Sequence, residues 1–125
     1  MRIHHIALNV TNPEKTASFY KKHFGFTEQK RYTKPSKQTE TILIELKESV
    51  LELVGGAKNK AQQTTNAEIH HIAIEVEDVH ATYDKLKREG VQITQPKQGM
   101  SCEWYCFLKD PDNIRIELYQ SHKNP

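Results

Sequence analysis

The chain has 125 residues, enough for one domain with its own core. Its hydrophobic fraction of 36% and mean hydropathy of −0.76 describe a polar protein, and no apolar run approaches the roughly 20 residues of a bilayer-spanning helix. A formal net charge of +2, with lysines and arginines scattered among acids, excludes the basic footprint of a nucleic-acid binder. Met1-Arg2-Ile3 leads straight into the first structured segment, which leaves no room for a signal peptide and makes the cytoplasm the expected location. Cys102 and Cys106 are the only cysteines, and two reduced thiols are expected rather than a disulfide.

Residues 3–10 read as a strand of apolar, β-branched and small residues. Thr11 or Asn12 caps a helix with Pro13 in its first turn and Glu14 near its positive end. Ala17, Tyr20 and Phe24 recur at helical spacing, and Gly25 is the stop. Strands are expected over 26–31, 41–46 and 49–54. The Lys-, Asn-, Gln- and Thr-rich stretch from Gly55 to Ala67 has no periodicity and reads as a linker. A second strand–helix unit follows over 69–76 and from Asp78 to Arg88, ending at Gly90. Strands over 92–94, 104–108 and 114–119 complete it, with Asp110-Pro111-Asp112-Asn113 as a turn. The tail, 121–125, is expected to fray.

The order is thus βαβββ twice: an α+β fold in one domain, 1–125, with module one at about 1–55, a linker at about 56–67 and module two at about 68–121. The halves repeat in sequence as well. His4-His5-Ile6-Ala7-Leu8-Asn9-Val10 returns as His70-His71-Ile72-Ala73-Ile74-Glu75-Val76, and Leu51-Glu52-Leu53-Val54 as Ile116-Glu117-Leu118-Tyr119.

Alternation along a strand selects among these residues. In the first strand His4, Ile6, Leu8 and Val10 share the apolar face that a helix covers, while His5, Ala7 and Asn9 share the open one. In the second copy Ile72, Ile74 and Val76 face the helix, and His71, Ala73 and Glu75 lie open. The same rule puts Glu52 on the open side and Leu51 and Leu53 beneath, and puts Arg115, Glu117 and Tyr119 open above Ile114, Ile116 and Leu118. A lone strand histidine is ordinarily structural, but neither residue type would recur in both halves for that reason alone. His23, His80 and His122 lack the pattern and read as surface residues. Two imidazoles and two carboxylates without thiolate suit a borderline divalent ion, and leave two positions of an octahedron for a substrate with neighbouring oxygens.

These motifs, with Pro13…Phe19-Tyr20…Phe24-Gly25-Phe26 and Phe107…Asp110-Pro111-Asp112-Asn113, resemble the vicinal oxygen chelate superfamily. That group contains glyoxalase I, bleomycin and fosfomycin resistance proteins and extradiol dioxygenases. The set His5, Glu52, His71, Glu117 is similar to the metal ligands of bacterial glyoxalase I. The resemblance implies paired βαβββ modules forming a curled mixed sheet around a metal site, and commonly a homodimer. A site within one chain and a site built from halves of two chains fit equally. It implies Ni²⁺, Co²⁺ or Zn²⁺, with Mn²⁺ or Fe²⁺ as alternatives, and a small-molecule substrate such as a thiol–2-oxoaldehyde hemithioacetal. Glu117 would move a proton between adjacent carbons, with Glu52 as its counterpart.

Where bacterial glyoxalase I usually carries an arginine that holds the glutathione carboxylate, this sequence has Asn9. Arg115 either supplies positive charge to substrate instead or pairs with Glu75. The alternatives are an extradiol-type dioxygenase or thiol transferase, both of which use two His and one Glu, or a drug- or metabolite-binding resistance protein without metal ligands. For the last, Trp104, Tyr32, Tyr105 and Phe107 are the residues available to line an aromatic cavity.

Overall fold

A computed structural model describes residues 4–36, 38–56 and 69–123. The chain falls into two units, Met1–Thr65 and Asn66–Pro125. Apart from its first residue, Gly56, the linker expected over about 56–67 lies outside the described residues.

In the first unit, β1 (Ile6–Asn9) is followed by α1 (Pro13–Phe24), β2 (Thr27–Lys34), β3 (Thr39–Leu46) and β4 (Ser49–Gly56). The sheet order is β1-β4-β3-β2, with β1 parallel to β4 and the other pairs antiparallel. The helix starts where its local chemistry dictates. Of the two expected caps it is Asn12 whose side chain accepts from the Lys15 N–H at 3.0 Å, and Pro13 needs no donor in the first turn. It ends at Gly25, whose φ of 79° is left-handed, with Lys21, Lys22 and His23 against the negative end of the helix.

Thr16, Ala17 and Tyr20 of α1 are buried, as are Ile42 and Ile44 of β3 and Leu51 and Leu53 of β4. Each fully buried aliphatic side chain stabilises the fold by about 1.5–3 kcal/mol. At Gly55 a Cβ would lie 2.5 Å from the Val10 carbonyl oxygen and 2.7 Å from Pro13 Cδ, so β4 passes the start of α1 closely enough to require glycine. The expected apolar face of the first strand is covered at Leu8 and Val10 but not at Ile6, which is 42% exposed.

In the second unit, β5 (Ile72–Glu75), α2 (Val79–Arg88), β6 (Trp104–Lys109) and β7 (Arg115–Gln120) form a sheet of order β5-β7-β6, with β5 parallel to β7 and β6 antiparallel to it. Asp78 caps α2 by accepting from the Ala81 N–H at 3.1 Å, and Gln120 Oε1 takes the Val79 N–H at 2.8 Å. Val79 and Leu86 are buried, together with Cys106, Leu108, Ile116 and Leu118. The β6–β7 turn is held by Asp110, whose Oδ1 accepts from the Asp112 and Ile114 N–H groups at 2.8 and 3.0 Å while Asn113 takes a φ of 71°.

The strand expected over 92–94 is a correction. This segment pairs with β6 through isolated bridges, Ile93 to Leu108 and Lys97 to Tyr105. The Thr94 N–H donates to the Phe107 carbonyl at 2.9 Å, but the Phe107 N–H goes to the Thr94 side-chain oxygen at 2.9 Å rather than to a backbone carbonyl, which interrupts the ladder. The two sheets of mixed strands with one helix each make the fold α+β among the described residues. No described helix is long and apolar enough to cross a membrane.

Candidate functional site

Each unit assembles one histidine–glutamate pair, by the same construction. In the first, the parallel register sets Ala7 of β1 beside Glu52 of β4, and His5 immediately precedes β1. The alanine methyl leaves the space above the sheet open, and His5 Nε2 stands 4.0 Å from Glu52 Oε1. In the second, Ala73 of β5 lies beside Glu117 of β7, and His71 Nε2 stands 3.3 Å from Glu117 Oε1. The side chains of Glu52 and Glu117 are 19% and 16% exposed, and those of His5 and His71 36% and 32%. Among the described residues no three His, Cys, Asp or Glu side chains gather in one place, so each unit supplies two donors.

The adjacent histidines are where the sequence reading and the structure differ. Alternation put His4 under the helix-covered face. Instead His4 and His70 are exposed, and each bonds its neighbour ring to ring: His4 Nδ1 to His5 Nδ1 at 3.0 Å, and His70 Nδ1 to His71 Nδ1 at 2.8 Å. The reason is that the strands begin at Ile6 and Ile72, so the two-residue period does not reach the histidines before them. The doubled His-His in both copies was the available signal. Its effect is to engage Nδ1 of each inner ring and leave Nε2 as the nitrogen nearest the carboxylate.

Arg115, on the same face as Glu117, does not pair with Glu75, which accepts from Ser121 Oγ. Its Nη1 lies 3.2 Å from His70 Nε2, and its guanidinium covers the Phe107 ring at 4.5 Å. Phe107 sits opposite Glu117 in the ladder and meets His71 edge-on at 5.8 Å, with Tyr105 a further 5.8 Å along. Asn9 is exposed on the Ala7 side of β1. Of the other aromatics, Trp104 packs edge-on against His80 of α2 at 4.5 Å rather than lining this face, and Tyr32 is 40% exposed on β2. The face that carries Glu52 is not bare: Leu43, its ladder partner, and Thr41 are both buried.

His122 meets Glu103 at 3.0 Å, and His23 packs on Phe19 at a ring separation of 4.7 Å. Cys102 and Cys106 are free and buried. Burial pushes the Cys106 thiol up to about 11, and burial followed by the charges of Glu117 and Glu103 raises that of Cys102, so neither is a ready thiolate.

The donor chemistry fits a divalent ion of borderline softness. Two donors about 2.1 Å from one octahedral ion stand about 3 Å apart. The 3.3 Å pair needs almost no adjustment, and the 4.0 Å pair only a small rotation of one side chain.

The family model of the Glyoxalase/Bleomycin resistance protein/Dioxygenase superfamily matches residues 2–118. Lactoylglutathione lyase of Neisseria meningitidis serogroup A is 30% identical over 96% of this chain and 91% of its own length. An ethylmalonyl-CoA/methylmalonyl-CoA epimerase of Cereibacter sphaeroides is also 30% identical, over 95% of this chain and 97% of its own. Among solved structures, a glyoxalase family protein from Enterococcus faecalis superposes with a TM-score of 0.81 at 24% identity, over 94% of this chain and 96% of that one. A mutant of a fosfomycin resistance protein from Listeria monocytogenes, complexed with Mn(II) and a dihydroxypropylphosphonic acid, superposes with a TM-score of 0.72 at 20% identity, over 94% and 90%.

Proposed function

This chain belongs to the Glyoxalase/Bleomycin resistance protein/Dioxygenase superfamily, and from that premise we propose that it is a divalent-metal-dependent lyase or isomerase of glyoxalase I type. Its ligands are His5, Glu52, His71 and Glu117, and its substrate is a thiol–2-oxoaldehyde hemithioacetal or a similar small molecule with vicinal oxygens. The observation that carries the reading is the fourth donor. Glu52 stands to His5 as Glu117 stands to His71, in the same register beside an alanine. A dioxygenase or thiol transferase of the family needs no carboxylate there, and a binding protein needs none of the four.

The bound ion supplies Lewis acidity, which lowers the cost of negative charge on substrate oxygens. Glu117 takes the proton from one carbon and returns it to the next, and Glu52 occupies the equivalent place in the other half. Phe107 and Tyr105 give the carboxylate an apolar wall that limits access of water, and Arg115 offers positive charge on the same face. The nickel, cobalt and zinc ions suit two imidazoles and two carboxylates best, with manganese and iron as alternatives.

The epimerase relative supports a second reading with the same proton chemistry, inversion at the carbon next to a thioester carbonyl. The test is elemental analysis of purified protein before and after loading with each of the five metals, followed by assays with hemithioacetals of several thiols and with acyl thioesters. One ion per chain, lost in His71→Ala and in Glu117→Gln with the fold intact, supports the reading. Unchanged stoichiometry in both variants refutes the ligand set. Stable iron with uptake of O₂ on a catechol would favour the dioxygenase.

A further inference from the structure

The face of the first unit that carries Glu52 continues along β4 to Val50, two residues earlier and so about 7 Å away. An open cavity of about 450 Å³ lies there, lined by His4, Gln29, Glu45, Lys47, Glu48 and Val50. Two departures of the backbone build its wall. The β2–β3 ladder shifts register between Glu28 and Lys30, and the added residue, Gln29, donates from Nε2 to Glu45 Oε1 at 2.7 Å. Glu45 is itself the ladder partner of Val50. Lys47, in the turn between Leu46 and Ser49, takes a left-handed φ of 55°, so a long cationic side chain stands where glycine would cost least. His4, whose ring meets that of His5 at 3.0 Å between Nδ1 atoms, joins the cavity to the ligand pair.

We propose that this cavity is a subsite for a polyhydroxylated part of the substrate, so that the preferred 2-oxoaldehyde carries several hydroxyl groups on the carbons beyond its two carbonyls. The proposal deepens the lyase reading above and rests on it. Size argues first. A cavity of 450 Å³ has the volume of about 15 waters in the liquid and lies within the range of about 300–1,000 Å³ of small-molecule sites, and a methyl group would leave most of it unfilled. The lining argues second. Carboxylates such as Glu45 and Glu48 only accept hydrogen bonds, the Lys47 ammonium only donates, and the Gln29 amide does both. Gln29 gives one amide hydrogen to Glu45, and the side chains of Lys47 and Glu48 have no hydrogen-bond or ion-pair partner among the described residues. An apolar substituent would displace water from these groups without replacing its hydrogen bonds. An anionic one would meet two carboxylates, and a cationic one the ammonium. A hydroxyl both donates and accepts, so a row of them satisfies carboxylate, ammonium and amide together. Val50, the aliphatic member of the lining, takes the carbons between the hydroxyls.

The test compares hemithioacetals of one neutral thiol, 2-mercaptoethanol, with methylglyoxal and with 3-deoxyglucosone, whose chain bears hydroxyls beyond the dicarbonyl. Metal-loaded wild type should favour 3-deoxyglucosone in kcat/KM referred to the open-chain aldehyde. Glu48→Ala and Glu45→Leu should each lower the ratio of the two kcat/KM values about tenfold, the worth of a hydrogen bond to a charged group. A ratio unchanged in both variants overturns the subsite, and so does a wild type that favours methylglyoxal. A second readout needs neither metal nor turnover. In the metal-free protein, sorbitol should shift the backbone amide resonances of Gln29, Glu45, Lys47, Glu48 and Val50, while 1,6-hexanediol, with a chain of the same length, should leave them in place. Equal shifts from both, or none from sorbitol, overturn the proposal. Failure to turn over any hemithioacetal, with the sorbitol shifts present, refutes the lyase reading and leaves the polyol site standing; turnover without those shifts refutes the polyol site alone.

Discussion

Gly55→Ala perturbs the unit that carries His5 and Glu52 at one point, and its cost is readable from the backbone. The new methyl would lie 2.5 Å from the Val10 carbonyl oxygen, 2.7 Å from Pro13 Cδ and 2.9 Å from Pro13 Cγ. Heavy atoms normally meet at about 3.5 Å or more, so β4 and the start of α1 must separate by about 1 Å. None of the three atoms belongs to a flexible side chain. The carbonyl sits in the chain just after β1, and the ring is the first residue of α1, so the strain is relieved only by moving an element. Overpacking of this kind costs about 1–3 kcal/mol. At about 4 °C per kcal/mol for a chain of this size, the midpoint of thermal unfolding should fall by about 4–12 °C. The β1–β4 pairing that brings His5 to Glu52 loosens at the same time, so metal affinity should fall with stability. Gly25 is the internal control: a Cβ there meets nothing, but its φ is 79°, so Ala costs about 1–2 kcal/mol through conformation alone. Asn, which tolerates that region, should recover part of the loss at position 25 and worsen it at position 55. Differential scanning calorimetry of the four variants checks this, and an unchanged midpoint for Gly55→Ala would refute the steric argument.

Three further outcomes are expected. Asn9→Arg should raise kcat/KM for a glutathione hemithioacetal relative to other thiols, if its position beside Ala7 governs recognition of the glutathione carboxylate; equal ratios in both proteins would place selectivity elsewhere. Cys102 and Cys106 should resist alkylation at pH 8 in the native protein and react rapidly in denaturant, because burial raises both thiols; a fast native reaction would contradict the packing of the β6 region. Arg31 bonds Glu28 at 2.7 Å and Glu14 at 2.8 Å, and the Glu28 carboxyl is held at about 2 against an ordinary 4.5, first by that hydrogen bond. Since the folded value is depressed, the stabilisation is complete above pH 4.5 and is lost as the pH falls towards 2. An NMR titration of Glu28 should show the low midpoint, shifted up by Arg31→Met and by added salt, the pair being exposed; a midpoint near 4.5 in the wild type would refute the pairing.

What the sequence determined by itself is what a few neighbouring residues settle among themselves. Asn12 and Asp78 cap their helices because a short polar side chain reaches an N–H three residues on, and Gly25 ends α1 because it alone takes a left-handed φ without cost. Asp110 folds its own turn, and alternation sorts Leu51 from Glu52 and Ile116 from Glu117 wherever a ladder exists to enforce it. Tertiary structure decided whatever depends on where a ladder stops and what lies across it. Residues 92–94 resemble a strand, yet the Thr94 side chain takes the Phe107 N–H that a backbone carbonyl of a ladder would accept, and isolated bridges are left. Trp104 turns to His80 of α2, a partner 24 positions away in sequence. His4 and His70 escape the alternation rule because β1 and β5 begin two residues after them, and a ring free of the ladder swings to its neighbour. The contact of Arg115 with His70 joins residues 45 positions apart. No local period encodes it, because it exists only once β5 and β7 lie side by side and bring the two ends of that distance together.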